Sequence, residues 1–211
     1  MKSGEINSLF NSLNKAIKNP KSDLKYKNKF TLLISVVLSA QCTDVNVNNV
    51  TKSIYPKYNK PEHFVKLGKK KIEKLIKNIG LFRNKAKSIY LLSKQLIEKH
   101  NEKVPKNFED LYALPGVGRK TASVVLNEGF GLPTIAVDTH VFRVSNRTGL
   151  ARGKNPDEVQ RKLHEVVPKK YLKKAGHTLL LHGRYTCKAR TPSCKTSVII
   201  KYCKYKNKEL K

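Results

Sequence analysis

Residues 111–125 read LYALPGVGRKTASVV. A short apolar helix, Leu111 to Leu114, runs into a tight turn at Pro115-Gly116-Val117-Gly118, and a second helix starts at Arg119. Gly116 and Gly118 permit backbone conformations and close approaches that a Cβ would block. The amides that open the second helix then face outward with partial positive charge, a ready phosphate site, and Arg119 and Lys120 stand beside them. An ordinary helical hairpin would use the same glycines only to turn the corner. The basic pair, in a chain of net charge +29, favours contact with a nucleic-acid backbone.

Helical periodicity extends from this hairpin in both directions, and no strand alternation interrupts it. Ile6, Leu9, Phe10, Leu13 and Ile17 mark one face of a first helix that stops at Asn19-Pro20. The run Phe30 to Leu38 (FTLLISVVL) is apolar on all sides. Although Ser39-Ala40-Gln41 after it mimics a cleavage site, the run is far shorter than the roughly 20 residues of a membrane span and starts too late for a leader. It reads as a buried core helix. Val47, Val50 and Ile54 continue the pattern to Pro56. Ile72, Leu75, Ile76 and Ile79 form another stripe, with Gly80 as its stop. Ala86, Ile89, Tyr90, Ser93, Leu96 and Ile97 mark a longer helix. Asn155-Pro156 opens a face carrying Val159, Leu163 and Val166. From about residue 185 the periodicity fades. The expectation is an all-α protein of about ten helices.

Within its 211 residues the chain sets 44 Lys+Arg against 15 Asp+Glu. Such a field attracts polyanions, although 36 lysines beside 8 arginines also reflects compositional drift. The implied compartment is cytoplasmic and nucleoid-associated, with no membrane. Four cysteines in such a chain argue against a disulfide framework and for metal or nothing.

LPGVGRKTA, followed by IAVDTHVFRV at 135–144, resembles the helix-hairpin-helix DNA glycosylases, and closely their bacterial endonuclease III branch. LLISVVLSAQ at 32–41, NIGLFRNKA at 78–86 and LHGRYTC at 181–187 extend the resemblance nearly end to end. It implies a two-lobed fold. A six-helix barrel covers residues 22–132, with the helix-hairpin-helix at 108–127. The other lobe joins 1–21 to 133–211 and carries a cysteine-rich tail at 187–203. DNA would lie across the cleft between them.

The resemblance also implies a chemistry. Lys120 is the amine that attacks the sugar C1′ of a flipped, oxidised pyrimidine nucleotide. The resulting Schiff base acidifies the neighbouring sugar carbon, so β-elimination cuts the strand. Asp138, in VDTHV, reads from sequence as a helix N-cap, and the family role adds stabilisation of positive charge on the sugar. His140 is either a DNA contact or an ordinary helix-face histidine. Gln41 fills the gap left by the extruded base, and Leu81, in the Ile79-Gly80-Leu81 turn, presses on the opposite strand. A surface amide and a core leucine are the plainer readings of those two.

Cys187, Cys194 and Cys203 fall at three of the four positions where the family holds a four-iron, four-sulfur cluster. The fourth position is Ser197. A serine oxygen or water on the fourth iron, a three-iron cluster, and a metal-free tail packed by Val198, Ile199 and Ile200 are the alternatives. Zinc lacks its usual Cys-x2-Cys pair. Cys42 reads as a small buried side chain. A cluster would staple the basic loop that carries Lys188 and Arg190 against phosphates.

The expected function is therefore a monomeric base-excision glycosylase with AP lyase activity. Its partner is duplex DNA containing oxidised pyrimidines or abasic sites. Two alternatives are an adenine-mismatch glycosylase of the same fold and a non-enzymatic helix-hairpin-helix DNA-binding protein. The first lacks the lysine and carries a further C-terminal domain; the second needs neither Lys120 nor Asp138.

Overall fold

The computed structural model describes residues 1–18, 20 and 22–208. Asn19, expected to help stop the first helix, lies outside them. Among the described residues there are ten α-helices, two 3₁₀ turns and no strand. None of the helices is long and apolar enough to cross a membrane. The chain divides into two compact units, Asp23–Gly131, and Met1–Ser22 with Leu132–Lys211.

After α1 (Ser3–Ala16), the Asp23–Gly131 unit contributes α2 (Lys29–Ser39), α3 (Asp44–Ile54), α4 (Pro61–Leu75), α5 (Phe82–His100), α6 (Phe108–Tyr112) and α7 (Arg119–Phe130). At its centre α2 is buried from Phe30 to Leu38 and packs on α3, α5 and α7. Asn28 starts it: its Oδ1 accepts from Thr31 N, and its own amide donates to Thr31 Oγ1, both at 2.9 Å. This is a capping box, which satisfies two otherwise orphaned groups. The one polar side chain at mid-helix, Ser35, bonds the Tyr55 hydroxyl at 2.6 Å, and that hydroxyl reaches Thr31 O. Burying the pair costs little because it is satisfied internally.

The expected helix through Ile79 ends earlier. α4 kinks at Gly68 (φ 69°) and finishes at Leu75. Ile76 and Ile79 are still buried, but through a turn closed by Ile79 N on Ile76 O at 2.8 Å. A tight turn and a continued helix point these two isoleucines the same way, so the stripe could not separate them. Gly80 is therefore not the helix stop.

In the hairpin, Leu111, Leu114, Val117, Ala122, Val125 and Leu126 are buried beneath α6 and α7. Its two glycines do different work. Gly116 has φ +80°, and a Cβ there would lie 2.6 Å from Ser88 Cβ. Gly118 is extended (φ −88°, ψ 173°), and a Cβ would meet nothing within 4 Å. Only the first is required by the fold. Gly116→Ala is expected to lower unfolding stability by about 2 kcal/mol or more, and Gly118→Ala by about 1 kcal/mol or less. Urea unfolding of the two variants checks the order; equal losses would contradict it.

The other unit is built from α1, α8 (Thr139–Thr148), α9 (Pro156–Val166) and α10 (Lys169–Tyr185), with 3₁₀ turns at Cys194–Thr196 and Ile200–Tyr202. Leu9, Phe10 and Leu13 of α1 share its core with Val141, Val144, Leu163 and Leu179. Phe10 stacks on Tyr171 at 5.2 Å. Asn155 caps α9 through Glu158 N at 2.9 Å, with Pro156 first in the helix. Of the tail residues Val198, Ile199 and Ile200, only Ile199 is buried, whereas Val198 is exposed. The tail does not pack as an apolar block.

Two histidines lead to an expectation of acid sensitivity in this unit. His164 Nε2 accepts from Ile135 N at 3.3 Å, and burial lowers its pKa. Burial pushes His182 of α10 down to about 4. A depressed pKa contributes stability that is complete above the unfolded value, near 6.5, and is lost as pH falls through the folded value. Unfolding stability is therefore expected to drop by about 3 kcal/mol between pH 7 and pH 4 from His182 alone. Urea midpoints across that range test this, and His182→Gln should flatten the loss.

Candidate nucleic-acid interface and active site

Lys120 is the second residue of α7 and is solvent-exposed. Gly118 supplies no side-chain acceptor to the helix start, and the first turn holds no acidic residue. The positive end of the helix dipole is therefore left uncompensated beside the amine. Arg119 lies over the rings of Phe108 at 5.7 Å and Tyr112 at 5.6 Å, which stack on each other. These cation–π contacts fix its guanidinium on α6 at the mouth of the turn.

Gln41 and Leu81 are separated by 40 positions, yet the same unit brings their segments together. A Cβ on Gly80 would lie 3.8 Å from Gln41 O. Asn46 ties the segments further, its Nδ2 donating to Asn78 O at 3.0 Å. Both residues are exposed and both hold left-handed backbone, φ 53° and 58°. Neither is glycine, so each conformation is strained. Leu81 is 56% exposed, which excludes the core-contact reading.

Asp138 caps α8, and its Oδ1 accepts from His140 N at 2.9 Å and Val141 N at 2.8 Å. Its Oδ2 makes no hydrogen bond among the described residues. The cap thus orients the carboxylate and leaves one oxygen available. His140 is no simple helix-face histidine. Its Nδ1 sits 3.1 Å from Arg143 Nη2, and its Cβ side packs against α10 at Gly183.

Two residues with structural roles here were absent from the sequence reading. Arg143 donates to Cys187 O at 2.9 Å and Gly183 O at 2.8 Å. Arg147, one turn on, donates to Lys188 O at 2.6 Å and Ala189 O at 2.8 Å, and its Nη1 stands 3.6 Å from Cys187 Sγ. Planar guanidinium forks suit such paired carbonyls. Together they anchor the loop carrying Lys188 and Arg190, both exposed, to the helix that Asp138 starts. Their signal in sequence was an i, i+4 basic pair in HVFRVSNRT, which also fits a solvated face.

Cys187, Cys194, Cys203 and Ser197 line one cavity with Arg147, His182 and Ile199. All the cysteines are free. Burial raises the pKa of Cys203, and Cys187 and Cys194 add to the rise. Cys42, expected to be buried, is only half-buried and accepts from Asn46 Nδ2 at 3.2 Å.

Residues 34–169 match the family described as HhH-GPD superfamily base excision DNA repair protein. Endonuclease III of Rickettsia conorii is 52% identical over 95% of this chain and 95% of that protein. Endonuclease III of Escherichia coli K12 is 51% identical over 90% of each. A solved structure of a trapped endonuclease III–DNA covalent intermediate superposes with a TM-score of 0.90 at 42% identity, covering 96% of both chains. A thermostable thymine-DNA glycosylase gives 0.82 at 25% identity, over 95% of this chain and 94% of the other. With the lysine-bearing hairpin and the capped aspartate in place, this chain belongs to the HhH-GPD superfamily of base excision DNA repair proteins, on its endonuclease III branch.

Proposed function

We propose that this DNA glycosylase/AP lyase removes oxidised pyrimidines from duplex DNA as a monomer, in the cytoplasm on nucleoid DNA, with Lys120 as the nucleophile. The observation that carries the reading is the exposed Lys120 amine at the uncapped start of α7, directly after the hairpin. Its nitrogen forms a bond to the sugar C1′ as the C1′–base bond breaks and the base leaves protonated. The C1′–O4′ bond then opens, O4′ taking a proton, to leave the Schiff base; this loses a proton from the adjacent sugar carbon as the 3′ C–O bond breaks and the phosphate is expelled. The open oxygen of Asp138 suits stabilisation of the positive charge that develops on the sugar. The outward amides of α7, Arg119, Lys188 and Arg190 suit phosphate contacts, with His140 at the base of Arg143.

Lys120→Ala is expected to abolish borohydride trapping and strand cleavage while leaving abasic-site binding within about threefold, because the amine supplies covalent chemistry and not the phosphate contacts. Asp138→Asn should slow base release by about a hundredfold or more with binding retained. Residual lyase activity in the first variant would assign the nucleophile elsewhere, and an unchanged release rate in the second would reduce Asp138 to a cap.

We infer that the cysteine cavity serves an iron–sulfur cluster held by Cys187, Cys194 and Cys203. Among the described residues no three His, Cys, Asp or Glu side chains stand close enough to hold a single metal ion. Three free thiols around one cavity do fit a multi-iron group, whose ligands are spread over separate corners. Such a group would cross-link the tail and supply no catalytic step. Ser197 is a poorer ligand than a thiolate, because its hydroxyl deprotonates less readily.

Protein purified anaerobically is expected to contain iron and sulfide, and to bleach in air. Ser197→Cys should slow that bleaching about tenfold, as a fourth thiolate replaces a weak oxygen ligand. Iron-free anaerobic protein with no gain from Ser197→Cys would overturn the inference.

A further inference from the structure

Lys85 lies on α5, one turn after Leu81, and only 6% of it is exposed. A lysine so buried must set its ammonium on acceptors. Nζ donates to Leu38 O at 2.9 Å and to Ala40 O at 2.6 Å, in the last turn and at the C-cap of α2. Its backbone amide meanwhile donates to Leu81 O at 3.0 Å. Gln41 follows Ala40 directly. One residue therefore grips the carbonyl before Gln41 and the carbonyl of Leu81, the two exposed non-glycine residues of this unit that hold left-handed backbone outside the Asn101–Glu102 turn.

A helix end could be closed more cheaply by glycine or by solvent. A buried cation bridging two strained turns is better suited to a different task, which is to fix their spacing. Strained backbone persists only where its surroundings determine it; the Lys85 ammonium ties the turn before Gln41 to the first turn of α5, whose own helical bond closes on Leu81 O.

We propose that Lys85 is a positioning residue for base extrusion, holding Gln41 and Leu81 at a set separation through the carbonyls of Ala40 and Leu81. This rests on the reading of Gln41 and Leu81 as the side chains that fill and press on the opened duplex. Its ammonium is buried on backbone carbonyls, so its part is to position and not to react.

Single-turnover base release is measured on two duplexes, one with the lesion base-paired and one with it in an unpaired bulge. Lys85→Met is expected to slow release from the paired duplex at least tenfold but from the bulge by less than about threefold, because an unpaired base is already largely extruded. Gln41→Ala should show the same selectivity. The double variant should be no slower than the slower single one, since groups acting as a unit are not additive. Lys85→Gln, which keeps one carbonyl bond, should show a smaller selective loss, and it decides the matter if Lys85→Met does not fold.

Equal slowing on both duplexes, or losses that multiply in the double variant, would make Lys85 a merely structural cap and overturn the proposal. So would full paired-duplex activity in both Lys85 variants while Gln41→Ala and Leu81→Ala are impaired. If Gln41→Ala and Leu81→Ala both act as wild type, the reading of the wedge itself fails, whatever Lys85 does.

Discussion

Every α-helix begins with amides that have no partner inside it, and this molecule is organised by how those amides are met. Asn28, Thr43, Asn107, Asp138 and Asn155 each turn a side-chain oxygen onto the amides of the helix they start. α7 begins instead at Gly118, which has no side chain to offer. The same rule therefore produces two chemically opposite helix starts. At α8 a carboxylate is pinned by two amides, both on the one oxygen Oδ1. At α7 the dipole's positive end is open, with a lysine one residue inside it. The glycine is not there for its φ, which any residue adopts. With no side chain to cap the helix, it leaves the first amides of α7 uncapped, and a Cβ there would meet nothing within 4 Å.

Strain is placed with equal economy. Gly116 takes a left-handed turn at no steric cost and lets the hairpin press against Ser88. Gln41 and Leu81 take similar dihedrals without being glycine, so the surrounding bonds must hold them there. Lys85, Asn46 and the α2 terminus supply those bonds from three directions. A glycine at either position would relax the turn but remove the exposed side chain it presents.

Much of this was legible in the chain. The all-round apolar run at 30–38 is the buried α2, and Asn155-Pro156 is a cap and first residue as its pattern implied. The aspartate in VDTHV caps α8. What escaped was what depends on partners distant in sequence. Periodicity extended α4 to Gly80 because Ile76 and Ile79 face the core whether the backbone is helix or turn. The left-handed backbone of Leu81 went unread, because hydrophobicity carries no sign of a dihedral. Lys85, Arg143 and Arg147 were three more basic residues among 44 until their carbonyl partners were known.

Those three residues also qualify the meaning of the charge. A net +29 suggests a surface covered in phosphate ligands. Counterion release counts only the cations that meet phosphates. Lys85 is buried on the carbonyls of Leu38 and Ala40, and Arg143 and Arg147 hold five carbonyls between them. Their role is to give the backbone around other residues a fixed shape. Charge in this protein thus works at two levels. Exposed lysines and arginines supply attraction that salt screens away. Buried and clamped ones fix the backbone around their neighbours, and that contribution is far less sensitive to salt.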